Sequence, residues 1–255
     1  MDFPVLHFSP RQPQAMTSGL GPSQWLGRAS AVFALGLMVG CTPAGLLERQ
    51  IESQLPRYIG PADRYDVDIE GLRVRANEAE QLTMVGERVR PEGSPVIEQL
   101  RLELSGIQFD RDAGQLTQVL AAGATARVTA ADLAEFVAQE PNIRSAAIAL
   151  EAPNRLTLEV APELGSFPIP EGITLAVTGE LTGSGSQVLV NVTNVRAAGF
   201  NVSGMAAQQL NQILNPLVDL SGLPVALTVK SVAVDGDTVL LEVSGDPASF
   251  SQIGR

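Results

Sequence analysis

From Thr42 onward the chain switches repeatedly between two hydrophobic periods. Leu47, Ile51, Leu55 and Tyr58 recur at helical spacing, with Glu48, Arg49, Gln50 and Glu52 on the other faces. Thr42 is placed to cap this segment and Pro43 to occupy its first turn, so a helix is predicted over Pro43–Leu55, ended by Pro56 and Gly60. The period then drops to two. Asp66–Arg75 alternates apolar and charged residues, Leu82–Val89 does so more weakly, and Val96–Leu104 does so clearly in its second half. Such alternation describes strands with one wet face and one buried face, as antiparallel sheets allow.

Helical spacing returns at Leu133, Phe136 and Val137, after Thr129-Ala-Ala-Asp132, a capping box with Asp in place of Glu. That helix is predicted over Ala130–Gln139, before Pro141. Strand patterns follow at Arg144–Leu150 and Leu156–Val160 around a Pro153-Asn154 turn, and at Ile173–Leu181 and Val188–Val195 around a Gly/Ser loop. A third helix is predicted from Ser203, with Met205, Leu210, Ile213, Leu214 and Leu217 as its apolar stripe and Pro216 near its end. Val225–Val234 and Thr238–Val243 form a last hairpin around Asp235-Gly-Asp237, and residues 246–255 read as a flexible tail.

Residues 1–40 follow neither period. Met1–Ala15 carries Pro4, Pro10 and Pro13, and Met16 is an alternative start. A basic stretch ending at Arg28 then leads into an uncharged, mostly apolar run over Ala29–Met38, the order of a secretory signal. Met38-Val-Gly-Cys41 resembles a bacterial lipobox, which implies acylation of Cys41 and cleavage before it. Three readings stay open: a lipoprotein signal, an uncleaved anchor over Ala29–Leu47 interrupted by Pro43, and an ordinary signal with an incidental thiol. The first places the protein in the cell envelope, anchored to a membrane through Cys41 and facing the periplasm or exterior.

Composition narrows the chemistry. The net charge is −11, and Lys230 is the only lysine, so clustered cations for nucleic acid are lacking. His7 is the only histidine, Trp25 the only tryptophan and Cys41 the only cysteine. Beyond Cys41 the chain therefore has no His or Cys for triad catalysis or soft metal sites. No metal and no cofactor are expected. Paired carboxylates remain for an enzyme, at Asp110 and Asp112 or Asp235 and Asp237, but both pairs lie in turn-like sequence where Asp has a structural role. A non-enzyme is the expectation.

One order of parts is distinctive. Gly93-Ser-Pro-Val-Ile-Glu-Gln-Leu-Arg-Leu-Glu-Leu-Ser-Gly106 precedes Val128-Thr-Ala-Ala-Asp-Leu133, then the Ile173–Val195 hairpin, a glycine-bearing turn and helix, Leu223-Pro224 and Val232-Ala-Val-Asp-Gly-Asp237. This resembles the LmeA-like phospholipid-binding family of bacterial envelope proteins, as a single domain over residues 41–245. The resemblance implies an α+β fold, a strongly curved antiparallel sheet wrapped around amphipathic helices as in tubular lipid-binding (TULIP-like) proteins. It implies phospholipid as the ligand and supplies no catalytic residue.

The residues are compatible with that ligand. The chain is 45% hydrophobic but only 4% aromatic, and aliphatic walls suit acyl chains, which need contact area rather than directed bonds. The groove candidates are Leu47, Ile51, Leu55, Leu158, Leu175, Val190, Met205, Leu210, Ile213, Leu214 and Leu217. The same stripes equally describe an ordinary core. Arg127, Arg144 and Arg196 are the candidates for a headgroup phosphate. The expected function is a phospholipid-binding or transfer lipoprotein; the alternative is a scaffold lipoprotein that binds an envelope protein and has no lipid cavity.

Overall fold

The structure is a computed structural model, and it describes residues 43–110, 115–141, 143–162, 173–201, 204–221 and 226–250. Cys41 and the leader lie outside the described residues. In chain order the elements are α1 (Pro43–Tyr58), β1 (Arg64–Glu70), β2 (Glu78–Val89), β3 (Ile97–Asp110), β4 (Gln115–Gln118) and β5 (Ala121–Thr129). Next come α2 (Ala130–Ala138), β6 (Ile143–Glu151), β7 (Arg155–Pro162), β8 (Leu175–Ser184), β9 (Gln187–Ala197) and β10 (Phe200–Asn201). The last are α3 (Gly204–Leu214), β11 (Val218–Asp219), β12 (Leu227–Asp235), β13 (Thr238–Gly245) and α4 (Pro247–Phe250).

Every strand pairing between these elements is antiparallel, and the strands divide between two sheets. The first runs β1-β2-β3-β5-β13-β12, with β4 beside the far end of β3; the second runs β10-β9-β8-β7-β6, with β11 on β9. The expected α+β class with antiparallel strands is met, but the strands lie in two sheets and not in the one curved sheet expected. The sheets meet where β12 approaches the second sheet, and Val229 and Val234 donate backbone hydrogen bonds to Gly185 and Pro153.

Charged alternation marks the outer faces. Glu98, Arg101 and Glu103 of β3 are exposed, while Leu104 on the same strand is buried. Two hydrophobic clusters lie inside. The larger joins α2, α3 and the second sheet to β5, β12 and β13; the smaller lies over β1, β2 and β3. Ile59, Tyr65 and Leu100 pack against both.

Helix α1 covers the smaller cluster with Leu47, Ile51 and Leu55, so its apolar stripe faces the sheet. It runs through Pro56 to Tyr58, beyond the predicted stop. It also closes an open sheet edge. The Val67 and Ile69 amides of β1 donate to the carboxylates of Glu52 and Glu48, at 3.1 and 3.2 Å. The match is geometric: four helical residues rise about 6 Å and two strand residues about 6.8 Å. An edge strand that would otherwise present free amides is thereby satisfied.

Tyr65 sits between the clusters, and its hydroxyl donates to the Gly60 carbonyl at 2.7 Å. Gly86 leaves room for the ring, since a Cβ there would lie 2.8 Å from it. Burial pushes the Tyr65 phenol up from 10.0 to about 12. The fold therefore favours the neutral phenol. That stability is complete below pH ~10 and is lost as pH rises through the folded value. In a Tyr58→Phe variant, Tyr65 is the only tyrosine, and ultraviolet titration should place its midpoint near 12. A midpoint at the ordinary tyrosine value would mean that the ring is not buried between the clusters.

Candidate functional site

The second sheet supplies the floor of the interior. Leu156, Leu158 and Val160 of β7, Leu175 and Val177 of β8, and Val188 and Val190 of β9 are each at most 1% exposed. Their outward neighbours Glu159 and Asn191 are exposed. Alternation alone produces this division, because successive strand side chains point to opposite faces.

Two helices close over that floor. Helix α2 begins at Thr129, whose side chain accepts from the Asp132 amide at 3.1 Å. The Asp132 carboxylate accepts from Thr129 Oγ1 at 2.6 Å and from Arg88 Nη1 at 2.9 Å through each oxygen. Leu133 and Val137 are thereby held against the core. Helix α3 is fixed differently. The Asn215 side chain pairs with both backbone groups of Val190, accepting from its amide at 2.7 Å and donating to its carbonyl at 2.9 Å. An amide side chain here substitutes for a strand partner on the part of β9 between β10 and β11. Leu210, Leu214 and Leu217 are buried beside it.

Between the C-terminal ends of α2 and α3 lies a cavity of about 460 Å³, within the size range of small-molecule sites. Its apolar wall comes from Phe136, Val137, Leu214 and Leu217, with Pro216 beside them. Glu140, Gln212 and Asn215 give the polar edge, and Gly93 approaches from the loop after β2. That loop is tied in where Ser94 Oγ donates to the Asp219 carbonyl at 3.4 Å. Asp219 in turn accepts from the Ser221 amide and from Gln187, at 2.8 and 3.0 Å. Hydrogen bonds from Ser221 first, and then Gln187, hold its carboxyl below the ordinary carboxylate range. No cation lines the cavity among the described residues, and its lining joins an apolar wall to a carboxylate and two amides.

The candidates from the sequence separate into groups. Leu214 and Leu217 line the cavity and belong to the same buried cluster as the next group. Leu158, Leu175, Val190 and Leu210 lie in the closed core behind it. Leu47, Ile51 and Leu55 belong to the other cluster. The Met205 and Ile213 side chains, Asp112 and Cys41 are outside the described parts. Asp235 and Asp237 flank Gly236 at the β12–β13 turn, and the Asp237 carbonyl accepts from the Ala130 amide at the start of α2. Arg127, Arg144 and Arg196 are exposed and apart from the cavity lining. Phe136 and Val137 were legible only as a helix stripe, and Asn215 carried no signal beyond its place before Pro216. No helix among the described residues is long and apolar enough to cross a membrane.

These features define a β-rich α+β protein whose interior is aliphatic and whose described cavity holds no fixed positive charge. The chain matches the LmeA-like phospholipid-binding family over residues 44–244 and belongs to it. No curated protein and no solved structure matches it.

Proposed function

We propose that the protein holds phospholipid acyl chains in its aliphatic interior, reached through the α2–α3 cavity, and carries or presents them at the bacterial cell envelope without catalysis. The observation that carries this reading is family membership over residues 44–244. The cavity volume and its apolar wall support it. A tether through acylated Cys41 would hold the domain at its own membrane, and the likeness to tubular lipid-binding folds belongs to the same proposal. A scaffold role without lipid is favoured by one observation, the closure of the core around Leu158, Leu175 and Val190.

Native mass spectrometry of the full chain separates the two. Copurified phospholipid that exchanges with vesicles is expected. Gln212→Trp, a change at an exposed rim position, should lower lipid occupancy several-fold with the melting temperature unchanged. Absence of both copurified and exchanged lipid leaves the scaffold role. The tether is tested separately: Cys41→Ser should release the chain from the membrane fraction, and retention there would remove the tether from the proposal.

A further inference from the structure

Strand β10 is two residues long and closes a hairpin on β9. Ala198 and Gly199, at φ 49 and 85, form its turn, with both central residues left-handed as a tight hairpin requires. Directly opposed residues of an antiparallel pair share a face. Phe200 opposes Ala197, Ala197 opposes Leu175, and Leu175 opposes Val160. Leu175 and Val160 are 0% and 1% exposed, yet Phe200, in the same row, is 78% exposed. The inner apolar row of the second sheet therefore passes from closed core to solvent within three strands. It ends on the most exposed large hydrophobic side chain among the described residues.

The adjacent row, on the opposite face of the hairpin, carries charge. Asn201 opposes Arg196, which is exposed and forms no ion pair among the described residues. The carboxylate on that row, Glu159, is two strands away across Ala176, about 10 Å at ordinary strand spacing. Arg196, without an ion pair among the described residues, and solvent-facing Phe200 lie on the two faces of one hairpin tip, which fits a phosphate-bearing apolar surface that the tip enters end-on.

We propose that the hairpin of residues 196–201 is a bilayer contact, with Phe200 entering the acyl boundary and Arg196 pairing with a lipid phosphate. A lipid surface fits better than a protein because one partner supplies both the anion and the apolar phase, and because the Phe200 row leads into the aliphatic interior. The choice of phospholipid rests on the family reading above.

The full chain with Trp25→Phe and Phe200→Trp has the hairpin as its only source of tryptophan emission. Mixed with phosphatidylcholine–phosphatidylglycerol vesicles, it should shift to the blue and be quenched by brominated acyl chains. Leu120→Trp in the same background, at a position 65% exposed in the β4–β5 connection, should not be quenched. Arg196→Gln should weaken the vesicle-dependent quenching about fivefold, the contribution of one basic side chain at an anionic surface. Equal quenching at both positions, or none at Phe200→Trp, overturns the bilayer contact; an unchanged Arg196→Gln overturns the phosphate pairing. Quenching without copurified lipid would leave the hairpin contact standing and remove the interior as the lipid site. Copurified lipid without quenching would do the reverse.

Discussion

Arg88→Ala should lower the free energy of unfolding by about 2–3 kcal/mol, measured by urea denaturation. Asp132 is 5% exposed, and Arg88 is its only ion-pair partner among the described residues. Removing one partner of a buried pair costs about 3–5 kcal/mol, because the remaining charge is left without compensation. The lower figure applies here for two reasons. The Arg88 side chain is 41% exposed, so water already screens the pair, and Thr129 and the α2 N-terminus still face the carboxylate.

Arg88 also adopts φ 52, a left-handed conformation that is unfavourable for a side-chain-bearing residue. Arg88→Gly should therefore destabilise less than Arg88→Ala, by ~1 kcal/mol. A loss under about 0.5 kcal/mol for Arg88→Ala would place the pair with ordinary surface contacts. The left-handed turn has a packing consequence. Met84 and Gly86 are buried with period two, and Val89 is buried out of phase with them. The backbone at Arg88 changes the phase, which sends the guanidinium to α2 and Val89 into the core.

Leu175→Ala should cost about 2–5 kcal/mol in lipid-free protein, the range for a fully enclosed leucine whose neighbours relax only in part. Leu175 is 0% exposed, paired with Val160 on one side and Ala197 on the other. Leu47→Ala, on the half-buried face of α1, should cost clearly less. Calorimetry with and without added phospholipid gives this variant a functional reading. A cost that shrinks when lipid is present would mean that acyl chain reaches the hole left at Leu175. A cost below about 1 kcal/mol in lipid-free protein would mean that Leu175 is not enclosed by packed side chains.

Element type was largely legible where local chemistry settles it. The charged alternation through Asp66–Glu70 and Leu100–Leu104 can bury apolar residues only as strands. Thr129 and Pro141 bracket α2 through capping and chain restriction, which act over a few residues. The Asp235–Thr238 turn follows from Gly236 at φ 62. By contrast, β5 reads as Ala-Ala-Gly-Ala-Thr-Ala, with no contrast between its two faces at its start. It becomes a strand because β3 and β13 pair with it on both sides. The end of α1 was also misplaced: Pro56 removes one backbone donor, but the last turn holds because Ile59 still donates to the Leu55 carbonyl at 2.9 Å.

The candidate site was legible as chemistry and not as place. An aliphatic stripe looks the same whether a neighbouring helix, another sheet or a ligand covers it, so Leu158 and Leu217 were equivalent in the sequence. Packing buries both in one cluster and brings only Leu217 to the cavity wall. Phe200 is one aromatic residue among aliphatics in the sequence, and its exposure depends on where the second sheet ends. The sequence alone determined the periods, the caps, the turns, the aliphatic character and the absence of His and Cys chemistry beyond Cys41, since each is a property of residue type and near-neighbour spacing. The tertiary structure decided that the strands form two sheets, that Glu48 and Glu52 close an edge, and that one apolar row reaches solvent at Phe200. Those are properties of surfaces brought together from distant parts of the chain, and burial exists only once they meet.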